Sequence, residues 1–152
     1  MRNLLQTGSM LSLDIGRSRI GLAGCDSTGI TITTLPPLYR RTIEEDLLYL
    51  NLFIINRYTV GLVVGIPLDD LNKITSQSIH CRRYGKKLAK KLNLPVAWVN
   101  ENSSTWSATE RYDLVNDRSG HLDSMVAYIL LEQWLRERCE SQSIPMINTS
   151  MD

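Results

Sequence analysis

The sequence predicts an α/β domain on a five-stranded mixed sheet, an antiparallel meander at one end and parallel crossover strands at the other, flanked by helices. Three observations predict it. Met10–Ile15, Arg19–Cys25 and Gly29–Thr34 are short, apolar or β-branched, and separated by Gly-containing turns, as in three antiparallel strands. Val60–Gly65 is a continuous apolar run bounded by Gly65 and Pro67, the pattern of a strand covered on both faces. Helical stretches precede this strand and the next, and crossovers of that length feed parallel strands.

Taken in order, Pro36 and Pro37 are expected to end the meander. Thr42 with Glu45 forms a capping-box pattern, and Ile43, Leu47, Leu48, Leu50, Ile54 and Ile55 continue as a helix. Ser76–Leu92 is helical: Tyr84, Leu88 and Leu92 recur every four residues, with Arg82, Arg83, Lys86, Lys87, Lys90 and Lys91 on the remaining surface. Pro95–Val99 is a short strand. Ser103 or Ser104 can cap a helix to about Val115, and His121–Cys139 is a last helix with Leu122, Met125, Val126, Ile129, Leu130 and Leu135 facing inward. The first strand then sits centrally, the meander on one side and the crossover strands on the other.

One domain, residues 10–139, is expected between polar tails at 1–9 and 140–152. A chain of 152 residues can bury about two-thirds of its unfolded surface around a single core. The composition, 43% hydrophobic and 22% charged, is that of an ordinary globular protein, and the net charge of +1 names no partner. Cys25, Cys81 and Cys139 show no zinc-ligand spacing, and an odd number of cysteines is no disulfide framework; a reducing cytosol is the expected compartment. No apolar run approaches the roughly 18 residues that span a bilayer.

The chemistry is concentrated in acids. Asp14 interrupts a buried-strand pattern in LSLDIGRSRIGLAGCD, and a buried carboxylate costs several kcal/mol unless a cation or donors compensate. The plainer reading is a cap on a hairpin turn. Sites in open α/β sheets form at the carboxyl ends of strands where strand order reverses, and Asp14 ends the central strand. Glu101 immediately follows the last strand, and so reaches the same edge. Asp123, in the first turn of the last helix, shares a face with Val126, Ala127 and Leu130. Singly, Glu101 reads as a solvated loop charge and Asp123 as a complement to the helix dipole. Three converging carboxylates repel one another unless cations lie between them. Oxygen ligands without clustered His or Cys select Mg²⁺ or Mn²⁺. Two such ions about 3.5–4 Å apart suit in-line phosphodiester cleavage, which points to a metal-dependent nuclease.

These residues resemble a known family. LSLDIGRSRIGLAGCD, VVGIPLD at Val63–Asp69, NENSST at Asn100–Thr105 and HLDSMVAYILLEQWL from His121 are similar, in order and over about residues 10–137, to the YqgF/RuvX family. The resemblance implies an RNase H-like fold and a nuclease acting on Holliday junctions or on the 5′ end of pre-16S rRNA. It makes Asp14, Glu101 and Asp123 both catalytic and metal ligands. Arg17, Arg19, Thr105 and Arg118 are the substrate-binding candidates. The implied partners are an rRNA precursor or branched DNA, with no membrane, and the chain acts as a monomer or homodimer. Departures are plain: Asn100 replaces the usual Asp, Asn102-Ser103 the usual Arg-Leu, and Asp69–Lys73 carries no Gly. The stretch Asn116–Gly120 holds only Arg118 as a cation.

Other features have plainer readings. The cationic face of Ser76–Leu92 is a solvated helix surface or a track for phosphates. Trp106 is a packing residue or a stacking platform, and His121 a helix cap or a proton-transfer contact. Asp14-Ile15-Gly16 with Gly21 also resembles the phosphate hairpin of actin-like ATPases, which need two domains. A catalytically silent nucleic-acid- or protein-binding module of the same fold is the alternative function.

Overall fold

The computed structural model describes residues 8–101 and 121–143, with the side chains of 121–123 and 139–143 outside the description. The strands are β1 (Ser9–Ile15), β2 (Arg19–Cys25), β3 (Ile32–Tyr39), β4 (Thr59–Pro67) and β5 (Val96–Glu101); the helices are α1 (Ile43–Asn56), α2 (Ser76–Leu92) and α3 (His121–Ser143). They form one five-stranded sheet in the order β3-β2-β1-β4-β5. The β1–β2 and β2–β3 pairs are antiparallel, and β1–β4 and β4–β5 are parallel. This is the mixed sheet expected from the sequence, with β1 at its centre.

Strand alternation sorts the two faces. Leu11, Leu13, Ile15, Ile20, Leu22, Leu62, Val64 and Ile66 form one core with Leu50 of α1 and Leu88 of α2. Met10, Cys25, Val63 and Val99 form the other with Val126, Leu130, Leu131, Trp134 and Leu135 of α3. Helix α3 lies close to its face because hydroxyls bridge the gap: Ser12 Oγ donates to Ala127 O at 2.6 Å and Ser124 Oγ to Leu35 O at 2.7 Å. Of the side chains expected to face inward, Met125 and Ile129 are half-buried, while Ala127, Leu131 and Trp134 take buried places instead.

Several boundaries differ from expectation. The third strand runs from Ile32 through Pro36 and Pro37 to Tyr39; Gly29 belongs to the preceding turn. Proline removes a ladder donor, but β3 is an edge strand whose outer side needs none. The ladder also shifts register there: Ile20 faces Leu38 and Leu22 faces Leu35, so the prolines fall in an irregularity. Helix α3 extends past Cys139 to Ser143, into the segment expected to be a tail. Thr42 caps α1, accepting from Glu45 N at 3.2 Å, and the two-way capping box is found at α2, between Thr75 and Ser78. The helix expected near Ser103–Val115 lies outside the described residues.

The loop Asp69–Lys73 lacks a glycine yet closes as a tight turn. Asn72 takes the left-handed conformation at φ 59°, and Asp69 Oδ1 accepts from Leu71 N at 2.9 Å and Lys73 N at 2.8 Å. No helix among the described residues is long and apolar enough to cross a membrane.

Candidate active site

Asp14 and Glu101 stand at the carboxyl ends of β1 and β5, with β4 between them. Strands two places apart are about 9.6 Å from one another, twice the usual spacing, so two short acids would not ordinarily touch. Here the Asp14 side chain still acts on the Glu101 carboxyl, lowering its proton affinity against the rise that burial causes. Gly65 of β4 makes this possible. A Cβ built on Gly65 would sit 3.0 Å from Glu101 Oε1 and 2.5 Å from Leu130 Cδ1, so the missing side chain leaves the floor on which Glu101 rests. Gly21 is the ladder partner of Asp14 on the other side.

Burial pushes the Glu101 carboxyl above its ordinary value, while the Asp14 side chain works in the opposite direction. Two carboxyls at one edge of a sheet repel each other when both are ionised. A hard cation between them satisfies oxygens of both and removes the repulsion. An all-oxygen donor pair at a half-buried sheet edge therefore fits Mg²⁺ or Mn²⁺ better than zinc. Asp123 lies in the first turn of α3, the helix covering this same face, but its side chain is outside the described residues. Among the described residues no cluster of three or more His, Cys, Asp or Glu side chains could hold a metal ion.

The turn after Asp14 is built tightly. Gly16 N donates to Arg19 O at 2.8 Å, and a Cβ on Gly16 would approach that oxygen to 2.7 Å. From the other side, Arg40 Nη1 donates to Gly16 O at 2.6 Å and lies 3.0 Å from His80 Nε2, while its guanidinium stacks 4.0 Å over Tyr84. Tyr84 OH in turn donates to the buried Asp46 at 2.7 Å. Sequence reasoning missed Arg40; the available signal was a cation following the strand that pairs beside the Asp14 turn.

The structure separates the two arginines expected at the phosphate. Arg17 is exposed and lines a recess of about 290 Å³ with Arg40, Ser76, Gln77 and His80, on the α2 side. Arg19 is half-buried and falls, by strand alternation, on the face of Gly21 and Asp14. Thr105, Arg118 and Trp106 lie outside the described residues, as does the side chain of His121.

An antiparallel meander joined to parallel crossovers, in the order β3-β2-β1-β4-β5 with helices on both faces, is an RNase H-like fold. The fold is shared with T. thermophilus RuvC in complex with Holliday junction substrate, at a TM-score of 0.53 and 10% identity over 86% of this chain and 96% of that one. Residues 8–137 match the RuvX family, described as Holliday junction resolvase, and the chain belongs to that family. Among curated relatives, a protein of Prochlorococcus marinus named "Putative pre-16S rRNA nuclease" is 53% identical over 141 residues, covering 93% of this chain and 92% of its own length. A protein of Synechococcus sp. (strain CC9902) with the same name is 57% identical over 129 residues, covering 85% of this chain and 79% of its own.

Proposed function

We propose that the chain is a divalent-metal-dependent endonuclease cutting phosphodiester bonds in structured nucleic acid, with 5′-end processing of pre-16S rRNA as its reaction. The observation that carries this reading is the placing of Asp14 and Glu101 at one carboxyl edge of the sheet, with Gly65 between them and the Glu101 carboxyl seated against it. The names of relatives more than half identical to this chain support the choice of substrate.

Asp14 and Glu101 would hold the ions, with Asp123 as the third ligand. When bound, Mg²⁺ or Mn²⁺ supplies activation of the attacking water and neutralisation of charge on the leaving oxygen. The protein's own contribution is positioning. The Gly16 turn, clamped by Arg40, fixes Asp14 at the strand end. Gly65 and Leu130 set the seat of Glu101. Arg17 at the α2-side recess and Arg19 on the acid face offer donors to phosphates on either side of the cut, and Thr105 and Arg118 are further candidates on the substrate side.

The test is cleavage of labelled pre-16S rRNA 5′ fragments and four-way DNA junctions with Mg²⁺, with Mn²⁺ and with chelator. Metal-dependent cutting of the rRNA fragment is expected, and Asp14→Asn should reduce it at least about a thousandfold, near 4 kcal/mol of barrier. The same variant should melt no lower than the parent, because carboxylate repulsion is relieved. Preference for the junction would move the substrate to branched DNA. Tight binding without cutting of either would make the chain a silent binding module.

A further inference from the structure

A second groove, of about 440 Å³, opens on the opposite side of β5 from Glu101. Its floor is apolar, with Ile66 and Leu68 at the end of β4 and Ile74 and Ile79 beside them. Ile74 is 73% exposed and Ile79 46%, so apolar surface lies open to solvent there. Its wall is cationic: Arg82, Arg83 and Lys86 project from α2 along the groove. Arg82 is held in place by Trp98, its guanidinium 5.1 Å from the ring. Among the described residues no carboxylate is paired with any of the three. Asn72 and Asn100 add amide groups at the rim.

This combination selects a ligand. A bare phosphate would use the cations and leave the isoleucines without a role; an aliphatic chain would use the isoleucines and leave the cations and amides unused. A nucleotide matches all three: a planar body for the apolar floor, ring-edge donors and acceptors for the asparagines, and phosphates for the α2 cations. Position agrees as well. Asn100 and Glu101 are consecutive on an edge strand and face opposite sides of the sheet, Asn100 into this groove and Glu101 over Gly65. Asn100 thus brings the groove to the same carboxyl edge at which Asp14 and Glu101 stand.

We infer that this groove is a subsite for one unpaired nucleotide of the substrate strand beside the cleaved linkage, its base against Ile74 and Ile79 and its phosphates on Arg83 and Lys86. The base must be unpaired, because a base within a continuous duplex keeps both faces stacked and its edge engaged. The inference rests on the nuclease reading for its substrate, and it narrows that substrate to one with a single-stranded or splayed nucleotide next to the cut.

The experiment uses the full chain in chelator and follows binding of a fluorescein-labelled single-stranded RNA of about ten nucleotides by anisotropy, as a function of salt. Arg83→Ala/Lys86→Ala should weaken binding and lower the log–log salt slope by about 1.4, two phosphate contacts on a single strand. Ile79→Asp should weaken it about tenfold. Lys90→Ala/Lys91→Ala removes the same charge from the far end of the same helix, away from the groove, and should leave binding near that of the parent. Matching melting temperatures exclude misfolding, and Ile79 is exposed enough for its variant to fold. Equal losses in the two double variants would overturn the inference in favour of a diffuse cationic face, and so would unchanged binding by Ile79→Asp. With Mg²⁺ restored, the two readings separate. A parent that does not cut while the groove variants lose binding defeats the nuclease and keeps the subsite. A parent that cuts, with groove variants cutting substrates with and without an unpaired nucleotide beside the cleaved linkage at the parent's rates, defeats the subsite and keeps the nuclease.

Discussion

The two faces of the sheet are built to different rules. The face under α1 and α2 is lined with branched apolar side chains, Leu11, Leu13 and Ile15 on β1 against Leu62, Val64 and Ile66 on β4, all of them buried. On the α3 face the intervening positions include Ser12 and Asp14 of β1, Val63 and Gly65 of β4, and Gly21 and Ala23 of the neighbouring β2. Most of these residues are small or polar. The first face carries the larger core, while on the α3 face much of the apolar bulk comes from the helix itself, and the small strand residues let it approach closely and leave room for two carboxyls at the sheet's edge. With a period of two, one strand can do both at once.

Truncating the first face should have the largest effect on stability. Leu11 is fully buried at the far end of β1 from the acids, so Leu11→Ala should cost about 2–5 kcal/mol in denaturant unfolding. Cleavage per folded molecule should stay near that of the parent. A large specific loss of cleavage at matched folded fraction would break the division of labour.

Adding volume to the other face should do the reverse. In Gly65→Ala the new methyl meets Leu130 and Glu101, so overpacking of about 1–3 kcal/mol is expected. Because Glu101 must leave its seat, metal-dependent cleavage should fall at least about tenfold even though every acid remains. Mg²⁺-induced stabilisation, read as a shift in melting temperature, should shrink in parallel. A variant that cuts normally would show that Glu101 does not need Gly65.

The smallest expected effect couples the two faces through the sheet. Cys81 of α2 donates its thiol to Ile15 O at 3.2 Å; burial pushes it up to about 11, and the charges of Asp14 and Glu101 add to the rise. A folded-state value above the ordinary 9.0 means the fold holds the proton more tightly than the unfolded chain. The stability this represents is complete below about pH 9 and is lost as pH rises toward 11. Unfolding midpoints at about pH 8 and about pH 10 should therefore differ by less in Cys81→Ala than in the parent.

Much of this was legible from local chemistry. Alternation placed Asp14 at a strand end, Thr42 marked the start of α1, and the four-residue recurrence of Tyr84, Leu88 and Leu92 located α2 between the same ends the structure has. The expected convergence of Asp14 and Glu101 on one edge followed from strand order alone. Pro36 and Pro37 misled, because whether a proline ends a strand depends on whether that strand has a neighbour on its outer side. At Asp69–Lys73 the sequence showed only that no glycine was present; that Asn72 takes the left-handed turn is seen in the structure.

Periodicity, caps and turn residues are short-range properties, set within a few bonds of the backbone, and the chain alone dictated them: the order of elements, the mixed sheet and the two carboxylates at its edge. What lay beyond reach were contacts between residues distant in sequence. Gly65 serves Glu101, Arg40 clamps the turn after Asp14, and Arg17 and Arg19, two residues apart, part to opposite sides of the sheet. Those relations exist only once strands about 50 residues apart in places are paired in register, because packing and electrostatics act through space rather than along the chain.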